Sequence, residues 1–449
     1  MNKIFIAIAA MSFSQTVWAQ AIDVPDLPEL PEGLGDLSSV TESLDEQASL
    51  PFDLTMSWDM RAGVRLQNDA HEKDMSLGET RLQVGIVKDF DTVSFNFAAD
   101  FVLDPVADIY AVDLETGQGF IDVREANIVF SPIDFMDVKL GRQVLTWGTG
   151  DLLFINDLFA KDYKSFFIGR DNEYLKAPSD ALKTSFFFGD TNIDVIYLPR
   201  FDADRFIDGT RLSFFDRASG DLTGRENPVV ANRREDWFDN DEQAIRIYRS
   251  FGAIEGALYY YNGYWKSPAG QNAVTGNAEF PRLHVYGASM RGPVAHGIGS
   301  LELGYYKSAE GADSNPFVRN NEFRFMMGYE QEIGTELTGS VQYYLERKSD
   351  YDVYRASLPH GAIVDDKARH LLTVRLTKML KQQDLKLSLF NFYSPSDKDG
   401  YMRFNVSYKL RDNLKIEAGG NVFYGQERYS FFGQFKDNTN LYTALHYDF

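Results

Sequence analysis

The chain has 449 residues, 66 acids against 45 bases for a net charge of −21, and no cysteine. Disulfide and thiol chemistry are excluded, and so negative a chain is a poor partner for nucleic acid. It also has no apolar run of about 18 residues, so a membrane-spanning helix is excluded.

Met1-Asn2-Lys3, the apolar stretch Ile4 to Phe13 and small residues up to Ala19 or Ala21 predict a secretory signal peptide over 1–21. Residues 22–51 follow, with Pro25, Pro28, Pro31 and many acids. They read as a periplasmic leader, or as a small plug built on Leu37, Val40 and Leu44.

From residue 52 to 449 the dominant signal is a period of two. Leu54, Met56, Trp58, Met60, Ala62, Val64 and Leu66 alternate with Thr55, Ser57, Asp59, Arg61, Gly63, Arg65 and Gln67. The same split runs from Val93 to Phe101, Glu322 to Glu330, Leu337 to Glu346 and Met402 to Arg411. One apolar and one polar face per strand, repeated in about 18 segments (16–18), predicts an all-β chain. Connections alternate between tight turns such as Asp89-Phe-Asp91 and Ser250-Phe-Gly252 and long polar stretches at 68–78, 104–118, 150–179, 201–240, 266–280, 309–320, 348–366 and 426–438. A short exception lies at 394–399. The pattern predicts a transmembrane antiparallel up-and-down β-barrel with short periplasmic turns and long extracellular loops. Aromatic residues at 14% suit the girdles of such a barrel.

The inward set carries both signs of charge. Arg61, Arg65, Arg81, Arg324, Arg375, Arg403, Lys386, Lys409 and Lys415 share it with Asp59, Asp100, Glu302, Glu322, Glu330, Glu346 and Glu417. These residues would either line a polar pore or stiffen its wall by pairing with one another. The stretch Leu152–Phe159 departs from the polar rule for loops and precedes Lys161, Tyr163, Lys164, Phe166, Phe167 and Arg170. Exposed, it would be aggregation-prone. It is expected to fold inward and narrow the bore, with contact to another subunit or to lipid as the alternative. The pore-lining candidates are Arg61, Arg65, Arg81, Arg142, Lys161, Lys164, Arg170, Arg324, Arg375 and Arg403.

The last residues, Leu441, Thr443, Leu445 and Tyr447, alternate with Tyr442, Ala444, His446 and Asp448 and end on Phe449. This resembles the closing strand of Gram-negative outer-membrane barrels. The resemblance implies a cell outer-membrane location among lipid and lipopolysaccharide, and recognition of Phe449 by the barrel-assembly machinery. Gly141-Arg142-Gln143 with Trp147-Gly148, followed by Ile196-Tyr-Leu-Pro199 and Asp202-Ala-Asp-Arg205, resembles uncharacterised porin-like outer-membrane proteins with a GRQ-x-x-x-WG strand. It is more distantly similar to alginate-export barrels. The match spans roughly 138–205 and implies a conducting barrel without naming its solute.

The six histidines show no H-E-x-x-H spacing, and no G-x-S-x-G is present. Asp104 to Asp113 lacks the order of a calcium loop. No enzyme activity, metal or cofactor is expected. The function expected is a porin-like channel passing small polar or anionic solutes down their gradient through a loop-constricted lumen, with a homo-oligomer as a further expectation. The alternatives are a transporter of hydrophobic or amphipathic molecules, such as lipids or hydrocarbons, working with a periplasmic or inner-membrane partner, and a structural or adhesive barrel.

Overall fold

A chain whose strands are apolar on one face and polar on the other must give each face its own solvent. In a bilayer it must also leave no backbone edge unpaired, which only a closed sheet achieves. The computed structural model describes residues 51–107, 110–309 and 314–449. The signal peptide and residues 22–50 of the leader or plug lie outside the described residues.

Eighteen antiparallel strands form the barrel. They are β1 (Asp53–Arg65), β2 (Met75–Asp89), β3 (Val93–Leu103), β4 (Ile121–Ile133), β5 (Met136–Val144) and β6 (Pro178–Phe188). Then come β7 (Thr191–Leu198), β8 (Glu242–Phe251), β9 (Ile254–Tyr264), β10 (Arg282–Val294), β11 (Gly297–Lys307) and β12 (Glu322–Gly334). The last are β13 (Leu337–Lys348), β14 (Ala368–Leu380), β15 (Leu385–Ser394), β16 (Asp399–Arg411), β17 (Leu414–Gly425) and β18 (Asn440–Asp448). Each strand pairs with its neighbour in sequence, and β1 closes on β18 with Trp58 opposite Tyr447 and Met60 opposite Leu445.

The alternation read from the sequence holds. Along β1, Leu54 and Val64 are 42% and 50% exposed while Asp59 and Arg61 are 7% and 8%. Apolar residues therefore coat the outside and charge lies within. Tight turns close one end of the barrel, Gly189 and Gly252 taking φ of +61° and +65° there. One tight turn, Ala295-His296, has no counterpart among the sequence-predicted turns. Exposed Phe90, Phe135, Phe188 and Phe251 ring the turn end. Outward Tyr260, Tyr286, Tyr305 and Phe323 mark the opposite interface. No helix among the described residues is long and apolar enough to cross a membrane; the strands do so instead.

Leu258, at the middle of β9, is 62% exposed on the outer face. Leu258→Arg is expected to lower folding stability in lipid vesicles by about 2–4 kcal/mol. Equilibrium urea titration measures this, and an unchanged midpoint would contradict the lipid-facing assignment.

Candidate functional site

Residues 145–177, between β5 and β6, leave the wall and cross the bore. The reason is the apolar content of the segment: Ile155, Phe159, Phe166, Phe167 and Ile168 are buried, joined in one apolar cluster with inward side chains of β2 and of β6 to β17. Trp147 packs on Phe159 with ring centroids 5.0 Å apart and on Tyr259 of β9 at 6.0 Å. A short helix, α1 (Tyr163–Ile168), is capped by the Asp162 side chain accepting the Ser165 N–H. It carries Phe166 and Phe167 to the far wall. There Phe167 meets Tyr401 and Phe423 at 5.2 Å each, and Phe435 of the 426–439 loop at 5.3 Å. Strands β16 and β17 stand seven and six strands from β5 around the ring of eighteen, so the segment crosses the bore. Gly169 ends α1 at φ +98°, where a Cβ would lie 2.3 Å from the Tyr442 ring. Only glycine fits that turn.

A backbone threaded through a barrel must find partners for its N–H and C=O groups. Glu302 on β11, 1% exposed, accepts the N–H groups of Thr149, Gly150 and Asn156 and the Asn156 side-chain amide. The Tyr306 hydroxyl donates to the Ile155 carbonyl. Arg375 on β14 grips both oxygens of Asp151 at 2.8 Å. Beyond α1, Arg61 donates to the Gly169 carbonyl at 3.0 Å and Arg403 to the Arg170 carbonyl at 2.6 Å. Arg124 on β4 donates to the Lys176 carbonyl at 2.7 Å. The segment is thus tied to the wall on every side.

The loop of residues 199–241 lies against it. Asp204 accepts the Lys161 N–H at 2.7 Å, and Arg205 bridges Asp122 of β4 and Asp162. Ser213 receives Asn438 of the 426–439 loop. This long loop is folded across the bore.

Among the candidate cations, the inner ones are paired. Arg61 meets Asp59 and Glu417, Arg81 meets Glu79 and Asp100, Arg170 meets Glu79, and Arg324 meets Glu322 and Glu346. Lys161 is buried on Asp157, Lys164 is held by Asp208, and Arg65 donates to the Met75 and Arg211 carbonyls. Cations withdrawn from water require such partners. Arg142 was expected in the lumen but stands on the other side of the wall. It shares the face of exposed Leu140 and Leu182, whereas Gln143, Ser179 and Ala181 are the buried, inward residues of that strand pair. Its guanidinium is closed by Asp180 at 2.8 Å and by loop carbonyls at 114 and 115. Arg124 and Arg205 are functional anchors absent from the sequence-predicted set. Alternation of Arg124 with Asp122 on one strand was the signal for the first.

Water reaches the inner wall on the side of the tight turns. A cavity of about 270 Å³ there is lined by Asp151, Arg291, Ser300, Glu330, Gln342 and Arg375, among others. Successive strands β14 to β17 place Arg375, Lys386, Arg403 and Lys415 inward, forming a basic arc. Arg403 donates to Asn172 at the tip of the crossing segment. Burial opposes the charge of Asp171 beside it, but Arg61, Lys415 and Arg403 outweigh that and hold its carboxyl below the usual range. Lys386 makes no ion pair among the described residues. No cluster among the described residues has the makings of a metal site.

No family model matches the chain, and no curated protein does. Among solved structures it is similar to Acinetobacter baumannii OccAB4, 10% identical over 89% of this chain and 98% of that one, with a TM-score of 0.54. It is similar also to Acinetobacter baumannii OccAB1, 10% identical over 88% and 95% of the two chains, with a TM-score of 0.50. At such identity the likeness lies in the fold, a closed eighteen-strand antiparallel β-barrel.

Glu302→Ala removes the acceptor shared by the Thr149, Gly150 and Asn156 N–H groups. The variant is expected to lose about 2 kcal/mol of stability and to give larger, noisier single-channel steps in a planar bilayer. Steps identical to wild type would contradict the constricting role of the segment.

Proposed function

We propose that the protein is a passive channel for small polar solutes, with anions such as carboxylates preferred, whose lumen is narrowed by residues 145–177. What supports the preference is the basic arc of Arg375, Lys386, Arg403 and Lys415, and Lys386 above all, a cation facing the bore without an ion-pair partner among the described residues. In this reading Arg375 and Arg403 serve twice. Each anchors the crossing segment and adds positive potential beside the water-filled space. Inward Arg61, Arg81 and Arg324, neutralised by adjacent carboxylates, set the shape of the passage more than its selectivity.

A carrier for lipids or hydrocarbons would draw its support from the apolar stretch at 152–159. Ile155 and Phe159 of that stretch are fully packed against the wall and α1, which weighs toward an aqueous passage. The absence of enzyme activity is part of the same proposal, since the inward groups are accounted for as anchors and field sources.

Lys386→Glu changes the local charge by two without touching an anchor. At about 8 Å in water-like surroundings this is worth roughly 1 kcal/mol against an anion and as much in favour of a cation, about fivefold for each ion. Reversal potentials under a salt gradient are expected to shift accordingly, whereas a potential equal to wild type would overturn the anion reading.

A further inference from the structure

In a chain of net charge −21, cations left without carboxylate partners on the outside of a barrel require an explanation. On the extracellular side of the wall they gather at the ends of β10 to β14, whereas Lys88 and Lys378 near the tight turns donate to the Pro51 and Thr335 carbonyls. Lys307 and Arg347 share the outward faces of exposed Tyr305 and of Leu345, and both are exposed. His284 sits directly opposite Lys307 on β10, Arg347 directly opposite Phe323 on β12, and Lys367 just precedes β14. Arg282, two residues before His284, lies over the Tyr264 ring at 4.7 Å. None of Arg282, Lys307, Arg347 and Lys367 makes an ion pair with a carboxylate among the described residues. Elsewhere on the rim, outward Arg142 is closed by Asp180. The contrast with Lys161, Lys164 and Arg170 of the crossing segment, each paired with a carboxylate, makes the rim cluster stand out.

The position of the cluster along the membrane normal is set by the girdle beneath it. Tyr286 and Tyr305 are exposed on the same outer face two residues toward the membrane centre from His284 and Lys307, Phe323 lies level with Arg347, and below them lie exposed Leu301, Leu303 and Met327. A cation one step above an interfacial aromatic belt stands at headgroup level, with hydrocarbon below it. Five adjacent strands at about 4.8 Å spacing give the row a width of about 19 Å, the scale of a large headgroup and not of a single small ion. Arg347, Lys348 and Lys367 also border a notch of about 670 Å³, floored by Phe323 and overhung by the helix α2 (Tyr351–Ser357). Lys348 is occupied by Asp365 at 3.4 Å, and Asp350 and Asp352 on the far lip pair with none of these cations.

We infer that the outer rim of β10 to β14 is a binding site for the phosphorylated glycolipid of the outer leaflet, lipopolysaccharide, with Lys307, Arg347 and Lys367 receiving its phosphates and the aromatic belt its acyl chains. Guanidinium and ammonium groups at headgroup height are the groups that recognise phosphate, and Arg347 offers it a forked set of donors. The inference rests on the outer-membrane placement of the barrel and is independent of which solute passes through it. It assigns one arc of the perimeter a fixed lipid, which leaves the less basic arcs for neighbouring copies or other lipids.

The test is native mass spectrometry of the refolded full chain in detergent with purified deep-rough lipopolysaccharide carrying its phosphates, with enzymatically dephosphorylated lipopolysaccharide, and with phosphatidylglycerol. Wild type is expected to retain the phosphorylated form at least about fivefold better than the dephosphorylated one, and Lys307→Gln/Arg347→Gln/Lys367→Gln to lose that advantage. Heat-modifiable migration confirms that the triple variant is folded. If it is not, Arg347→Gln and Lys307→Gln singly carry the test, each expected to lose part of the advantage. Equal retention of the two lipopolysaccharides, equal retention by folded variant and wild type, or retention of phosphatidylglycerol as strong as that of lipopolysaccharide would each overturn the assignment.

Discussion

The Glu302 carboxylate holds the structure's central feature in place. Without an acceptor on the β11 wall for the Thr149, Gly150 and Asn156 N–H groups, the first turn of the crossing segment would be buried with its donors unpaired. With it, Leu152 to Phe159 can pack inward, α1 can reach the far wall, and the 199–241 loop has a surface to fold against. The rest of the bore follows from this. The apolar cluster occupies the sector toward the strands in the middle and late part of the chain. The charged pairs of Asp59, Arg61, Glu79, Arg81 and Asp100 occupy the sector around β1 to β3. A cavity open to water remains on the side of the tight turns, with Arg375 of the basic arc on its wall.

Two solvents act on the same strand, and this explains why the barrel was so legible. The outward residues of Leu54 to Leu66 and of Met402 to Arg411 meet hydrocarbon and most of their inward ones are polar, so both stretches carry their pattern openly in the sequence. Loop lengths followed, with tight turns at one end and long loops at the other apart from the short connection at 394–399. The inward folding of 150–179 was legible for a different reason: an apolar stretch such as Leu152–Phe159 has nowhere else to go. Which cations face water was not legible. Whether an inward arginine is a free charge or a wall strut depends on which carboxylate lies across a strand pair or across the lumen. Arg375 meets Asp151 and Arg61 meets Glu417 only once the barrel has closed.

Arg142 shows the limit most clearly. The Gly141-Arg142-Gln143 strand invited a pore-lining role, yet the polar residue pointing inward is Gln143, which donates to the carbonyls of Gly141 and Ala181. Gly141 itself takes φ +119°, and a Cβ there would come 2.3 Å from the Ala126 carbonyl. The motif is therefore a device for a close approach of β4 and β5, with Arg142 fastening the exterior of that corner to Asp180. Strand register, not residue type, decided its side.

The central claim is that a bore crossed by a tethered segment still conducts, and that it does so by favouring anions. The most direct measurement is single-channel recording of the refolded wild-type protein in a planar bilayer, first in symmetric salt and then under a gradient. The account requires steady steps smaller than those of an unobstructed barrel of the same strand number, with a reversal potential on the anion side. Silence from a folded, heat-modifiable barrel, or a cation-side reversal potential, would contradict it.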